Sequence, residues 1–223
     1  MTKKIDPPSS WNITSKCERE EYEKRWKGNQ RRIGITGGIA SGKSTISNYL
    51  EQIKELPILD ADIFAHEILT PGSKVSNTVI GHFGKKIILK NRLKEKVIDR
   101  AALAELIFSN KNDRFWLEEL IHPIIKVRIN KELQKLSNRK TIILVIPLLF
   151  EAKFTEICSE VWLAYCSLET QISRLMKRNK LSRNQAMKRI NAQLPLEAKR
   201  EFSDVIIDNN KLQNLEKQIE AFL

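Results

Sequence analysis

Cysteine is scarce in this chain, and long apolar runs are missing. The three cysteines, Cys17, Cys158 and Cys166, are odd in number and form no C-x-x-C pair. That argues against a disulfide framework or a zinc site and fits a reducing, cytoplasmic setting. No window approaches eighteen consecutive apolar residues, and Met1-Thr2-Lys3-Lys4-Ile5-Asp6-Pro7-Pro8 leads into polar residues instead of the apolar core of an export signal. The expectation is a protein that is neither exported nor membrane-spanning. Internal repeats and low-complexity tracts are absent as well.

Acidic residues are outnumbered, 27 against 39 Lys and Arg, for a formal net charge of +12. Such a balance favours anionic partners, whether nucleotides, nucleic acid or acidic membrane surfaces, and charge alone does not choose among them. With 41% hydrophobic composition over 223 residues, the chain can bury the core of one large domain with smaller inserted pieces.

Residues 1–30 read as an N-terminal extension. Pro7-Pro8-Ser9-Ser10 precedes the charge-dense run Glu18 to Lys27, which suits a short solvated helix docking through Trp11, Tyr22 or Trp26. From residue 31 to 223, short β-branched runs alternate with helical patterns, the signature of a parallel sheet with crossover helices. Strands are expected at Arg32–Thr36, Pro57–Leu59, Thr141–Ile146, Val161–Cys166 and Asp204–Ile207. Helices are expected at Lys43–Ile53, Asp62–Leu69, Arg100–Phe108, Asp113–Leu136, Leu168–Arg178, Ser182–Asn191 and Leu212–Phe222.

The segment Gly37-Gly38-Ile39-Ala40-Ser41-Gly42-Lys43-Ser44 has the G-x-x-x-x-G-K-S spacing of a P-loop, between a strand-like and a helical segment. Its glycines let the backbone curl so that N–H groups face phosphate oxygens, and the helix N-terminus adds positive potential. In that geometry Lys43 reaches the β- and γ-phosphates, the Ser44 hydroxyl is the expected Mg²⁺ ligand, and Thr45 lies near the α-phosphate.

Asn110-Lys111-Asn112-Asp113 has the N-K-x-D form of a guanine reader, but it follows an amphipathic helix and not a buried strand, so Ser109 and Asp113 read as caps between two helices. The second strand delivers Asp60-Ala61-Asp62 to the carboxyl edge of the sheet, where open α/β folds bind ligands. There Asp62 can take a proton from an attacking hydroxyl or simply cap a helix. The third strand runs into Pro147-Leu148-Leu149-Phe150-Glu151 without a terminal Asp, and Glu151 either assists Mg²⁺ through water or caps a helix. Gln171 to Arg200 carries nine basic residues against Glu197 alone. Such a segment suits a lid that closes guanidinium groups over a transferring phosphoryl, with Lys177, Lys180, Lys188 and Lys199 on its solvated face.

These residues closely resemble the dephospho-coenzyme A kinase family. The resemblance covers about residues 32–210 and rests on Ile35 to Thr45, Asp60-Ala61-Asp62 with His66-Glu67, His82-Phe83-Gly84, Asp99-Arg100, Ile121-His122-Pro123, Pro147 to Glu151, Arg174, Arg178, Arg189 to Gln193, and Asp208-Asn209-Asn210. It implies an α/β, nucleoside-monophosphate-kinase-like three-layer P-loop fold with a five-stranded parallel sheet, a helical acceptor-binding insertion over about 67–138 and a lid over about 179–195. It also implies transfer of the ATP γ-phosphoryl to the ribose 3′-hydroxyl of dephospho-coenzyme A. Asp62 matches the family's proposed base, acting with Lys43 and Arg178. ATP falls to Gly38, Ile39, Ala40, Ser41, Gly42, Lys43, Ser44, Thr45, Arg178, Arg189 and Asn209, the last near the adenine edge. The acceptor falls to Asp62, His66, Arg100 and His122. The stretch Lys90-Asn91-Arg92 departs from the Asp-Gly turn of many members.

A kinase of nucleosides or nucleoside monophosphates would use the same loop, base and lid. A nucleic-acid-binding reading has only the charge behind it, since no helix-turn-helix, RNA-recognition or zinc module is present. The expected partners are ATP and dephospho-coenzyme A, with no nucleic acid and no membrane. The sequence carries no signal for oligomeric state.

Overall fold

The computed structural model describes residues 16–90, 96–211 and 214–223. In chain order its elements are α1 (Lys16–Glu23), β1 (Arg31–Thr36), α2 (Lys43–Gln52), β2 (Ile58–Asp60), α3 (Ala61–Ile68), α4 (Lys74–Phe83), β3 (Ile88–Lys90), β4 (Lys96–Ile98) and α5 (Arg100–Ser109). There follow α6 (Lys111–Lys135), β5 (Thr141–Val145), β6 (Glu160–Tyr165), α7 (Leu168–Asn179), α8 (Arg183–Ile190), α9 (Leu196–Glu201), β7 (Val205–Asp208) and α10 (Leu215–Glu220). The chain divides into two compact units, one of residues 1–59 and 139–223 and one of residues 60–138.

The first unit is built on a five-stranded parallel sheet in the order β2-β5-β1-β6-β7. Strand β1 is central, with Ile33 opposite Ile143 of β5 and Ile35 opposite Trp162 of β6. Both faces of these strands are covered, which is why they read as continuous apolar runs instead of alternating ones. On one face Ile33, Ile35, Ile143, Val145, Trp162 and Ile207 pack with Ile46 and Leu50 of α2 and Leu215 and Ile219 of α10. Each fully buried Ile or Leu contributes about 1.5–3 kcal/mol of transfer free energy, which holds α2 and the loop before it against the sheet.

The extension docks on the same unit through two of the expected aromatics. The Tyr22 ring meets Phe150 and Phe202 edge-on at centroid distances of 5.7 and 5.2 Å, and the Trp26 backbone N–H donates to the Cys158 carbonyl at 2.7 Å. Arg32 stacks over the Trp26 ring at 3.7 Å, and Arg25 bridges to Asp204 at 3.1 Å. Trp11, the third expected anchor, lies outside the described residues, as does Pro7-Pro8-Ser9-Ser10.

The second unit closes around Leu69, Val79, Phe83, Ile87, Ile98, Leu103 and Leu117. Helix α4 and the antiparallel pair β3–β4 were not expected from the sequence. Helix α4 contains Val75, Thr78, Val79, Ile80 and Gly81, all weak helix formers, and it persists because Val79 and Phe83 are buried in this cluster. Asn91 and Arg92, and with them the departure from the family's turn, lie outside the described residues, as does Leu212, where the last helix was expected to begin. The N-K-x-D tetrapeptide is a joint between α5 and α6, as its context indicated, but the cap is Asn110. Its Oδ1 accepts from the N–H groups of Asn112 and Asp113, while the Asp113 carboxylate faces His82 Nε2 at 3.4 Å.

Candidate active site

The loop between β1 and α2 forms a tight curl at the carboxyl end of the central strand. Gly42, at the N-cap of α2, has φ +98°, a left-handed value that glycine alone adopts cheaply. A Cβ there would also overlap the Asn209 side-chain amide. Ala40 takes φ +60°, a strained conformation for a residue with a Cβ. Lys43 Nζ donates to the carbonyls of Gly37 and Gly38, each at 2.8 Å, so the lysine lies back along the curl. Ser44 and Thr45 stand exposed in the first turn of α2. The eight expected residues from Gly38 to Thr45 are therefore contiguous around one concave stretch of backbone.

Helices α7 and α8 rise beside that curl. Ile172, Leu175 and Ala186 form a buried cluster against which Ile39 and Ala40 of the loop pack, together with Met176, Met187 and Ile190. Helix α8 starts with a capping box between Ser182 and Gln185, and the exposed Arg183 forms two hydrogen bonds with Glu169, at 3.0 and 2.6 Å, joining the two helices. Arg178 sits exposed in the last turn of α7, its Nε donating to Asn179 Oδ1 at 2.9 Å. Arg189 occupies the last turn of α8, half-buried.

Five side chains hold this arrangement through contacts that the sequence reading did not anticipate. Gln171, buried on the apolar stripe of α7, donates through Nε2 to Ile39 O at 2.8 Å. Gln193, between α8 and α9, accepts the Ile39 N–H on its Oε1, also at 2.8 Å. Lys199 is 0% exposed and pairs at 2.9 Å with Glu151, itself 5% exposed. This corrects the expectation of a solvated Lys199. It also replaces the helix-cap reading of Glu151, whose Oε1 accepts the Leu194 N–H at 3.0 Å. Lys199 donates to Pro147 O as well, at 3.0 Å, an acceptor shared with the Thr36 hydroxyl. For Gln171, a polar residue inside an apolar helical stripe beside Ile172 and Leu175 is the cue that could have been read in advance. Asn209 is 1% exposed. Its Nδ2 donates to Ser41 O at 2.9 Å, and Arg174 donates to its backbone carbonyl at 2.7 Å. Its side chain thus supports the loop from beneath.

The remaining expected residues stand in the second unit. Asp60 ends β2 and caps α3, its Oδ1 accepting the Asp62 N–H at 2.8 Å. Capping thus belongs to Asp60, and Asp62 is left as an exposed carboxylate in the first turn. His66 lies one helical turn further on. An Arg100 guanidinium N–H donates to the His66 carbonyl at 3.1 Å, and partial burial lowers the Arg100 pKa below its ordinary value. His122 is half-buried on α6, which packs against α3 with Arg128 bridging Glu67 and Glu132 at 3.7 and 3.2 Å.

Among the described residues no three His, Cys, Asp or Glu side chains cluster as a metal site. The Ser44 hydroxyl, exposed directly after Lys43, nevertheless fits one oxygen position of an ion whose other ligands are phosphates and water. No helix among the described residues is long and apolar enough to cross a membrane.

A family model described as dephospho-CoA kinase matches residues 31–214. A dephospho-CoA kinase of Prochlorococcus marinus is 57% identical over 201 residues, covering 90% of this chain and 96% of that relative. One from Trichormus variabilis is 43% identical over 195 residues, covering 87% and 97%. Among solved structures, TT1252 from Thermus thermophilus superposes with a TM-score of 0.70 at 31% identity, covering 87% of this chain and 96% of that one. A dephospho-CoA kinase from Campylobacter jejuni gives 0.58 at 31% identity, covering 85% and 94%.

Proposed function

Because the chain belongs to the dephospho-CoA kinase family, we propose that its loop and lid hold ATP while the second unit presents an acceptor hydroxyl. It is a kinase that phosphorylates dephospho-coenzyme A with ATP in the last step of coenzyme A synthesis. The observation that carries the assignment of the donor site is the curl from Gly38 to Thr45, with Lys43 at the head of α2 and the α7–α8 pair packed on Ile39 and Ala40.

In this reading the backbone from Ala40 into α2 addresses phosphate oxygens, and Lys43 leaves the carbonyls of Gly37 and Gly38 for the β- and γ-phosphates. Arg178 and Arg189, at the ends of the two lid helices, neutralise charge on the transferring group. A Mg²⁺ ion carried by the nucleotide would be held by Ser44 and would offset charge between the β- and γ-phosphates. Asp62 takes the proton of the ribose 3′-hydroxyl as that oxygen attacks the γ-phosphorus, and the bond to the β-bridging oxygen breaks to release ADP. His66, Arg100 and His122 bind the acceptor. The lid comprises about residues 179–195 and the acceptor insertion about residues 67–138. The free buried thiols of Cys158 and Cys166 support a reducing, cytoplasmic location.

The test is ADP release measured with a panel of acceptors. Dephospho-coenzyme A should raise the rate far above the water background, whereas nucleosides and nucleoside monophosphates should not. If a nucleotide were the better acceptor, the acceptor assignment would fall while the donor site stood.

A further inference from the structure

The phosphate loop is held from outside at Ile39 as well as at Ser41, whose carbonyl accepts from Asn209. Both polar backbone groups of Ile39 are taken by side chains remote in sequence, the carbonyl by Gln171 Nε2 and the N–H by Gln193 Oε1, each at 2.8 Å. One glutamine donates and the other accepts, so the pair fits the two ends of one residue in only one orientation. Space has been left for this grip: a Cβ on Gly38 would collide with the Gln171 amide. Ile39 is followed by Ala40 at φ +60°, whose strain must be balanced by contacts elsewhere.

We propose that Gln171 and Gln193 are positioning residues that clasp the loop apex in its phosphate-binding curl and join that curl to the lid. The two glutamines bracket the lid arginines. Gln171 lies on α7 two turns before Arg178, and Gln193 follows α8 and Arg189. The outer end is anchored in turn, because the neighbouring Leu194 N–H is held by Glu151 at 3.0 Å and Glu151 by buried Lys199 at 2.9 Å. A displacement of either lid helix is therefore transmitted to the Ile39 peptide. Because Ile39 spends its N–H on Gln193, the donors facing a phosphate begin at Ala40, and their direction depends on the clasp.

The inference rests on the ATP reading of the loop, and the experiment separates the two. Titration calorimetry with MgATP is run on the full chain, its Gln171→Met and Gln193→Met variants and the double variant, with KM measured for both substrates. Methionine keeps the length of the side chain and removes the amide. Each single variant should weaken MgATP binding about tenfold, equivalent to about 1.4 kcal/mol, while KM for dephospho-coenzyme A changes less than twofold. The double variant should lose less than the product of the two, since both grip one residue. Gln193 is only half-buried, so its variant remains readable if Gln171→Met fails to fold. In the free protein, Gln193→Met should move the Ile39 amide proton upfield, and Gln193→Glu, which keeps an acceptor oxygen, should restore its position. MgATP affinity within twofold of the parent in Gln193→Met, or a parallel rise of KM for both substrates, would overturn the clasp. Failure of the parent chain to bind MgATP would instead overturn the ATP reading beneath it.

Discussion

Replacing Lys199 by methionine would leave the Glu151 carboxylate in the interior with the Leu194 N–H as its remaining hydrogen-bond donor. Lys199 is 0% exposed and Glu151 5%, and their charged atoms are 2.9 Å apart. At an effective dielectric constant of about 20 that separation corresponds to about 6 kcal/mol of attraction, most of it offset by the cost of desolvating both groups. The pair is therefore close to neutral as a whole, but loss of one member costs about 3–5 kcal/mol, because a buried charge is stranded. For a chain of this size that is a fall in Tm of about 6–20 °C. Lys199→Met and Glu151→Gln should each show it in thermal and urea unfolding followed by circular dichroism. The double variant, which removes both charges and keeps an acceptor for the Leu194 N–H, should recover at least 2 kcal/mol relative to the sum of the singles. If each single variant stayed within about 1 kcal/mol of the parent, or the double variant were additive, Lys199 would have no structural charge partner and its burial would need another cause.

Three further outcomes follow from the same geometry. Gly42→Ala forces a Cβ into the Asn209 amide at φ +98°, so it should weaken MgATP binding at least tenfold in calorimetry, and affinity within threefold would contradict the crowding. Asp62→Asn should keep ATP affinity but lower kcat about 10²–10⁴-fold, the usual contribution of a general base, and near-normal turnover in a coupled ADP assay would remove Asp62 from that role. Burial pushes the Cys158 thiol up to about 12 and raises that of Cys166, since the low-dielectric interior disfavours thiolate. At pH 8 about one Cys158 in ten thousand would be ionised. In a Cys17→Ser variant a disulfide reagent should label neither thiol until urea unfolds the chain, and rapid native labelling would show that the site opens.

Much of the fold was legible because its signals are local. A strand buried on both faces reads as a near-continuous apolar run, as in residues 142–145, and a phosphate loop needs glycine at fixed positions whatever surrounds it. Amphipathic stripes located most of the helices, including α7 with Arg178 and α8 with Arg189. Helix α4 was not legible, because its own residues disfavour helix and only burial of Val79 and Phe83 decides for it. Nor was the charge state of the surface. Lys199 belongs to a basic run that reads as solvated, yet it points inward, because one residue in such a run meets Glu151 after the chain has folded.

The sequence by itself thus determined the residue types on offer: a glycine-rich backbone curl with Lys43 and Ser44, a carboxylate at Asp62, and a basic segment from Gln171 to Arg200. These follow from residue type and short-range spacing, which fix backbone conformation and charge within a few residues. Only the tertiary structure decided what holds that chemistry in place. Asp60 took the capping role and left Asp62 exposed, and Gln171, Gln193 and Asn209 came to grip a loop 132 to 168 residues away in the chain. A hydrogen bond depends on ångström distances between groups that packing brings together, and separation along the sequence does not encode those distances.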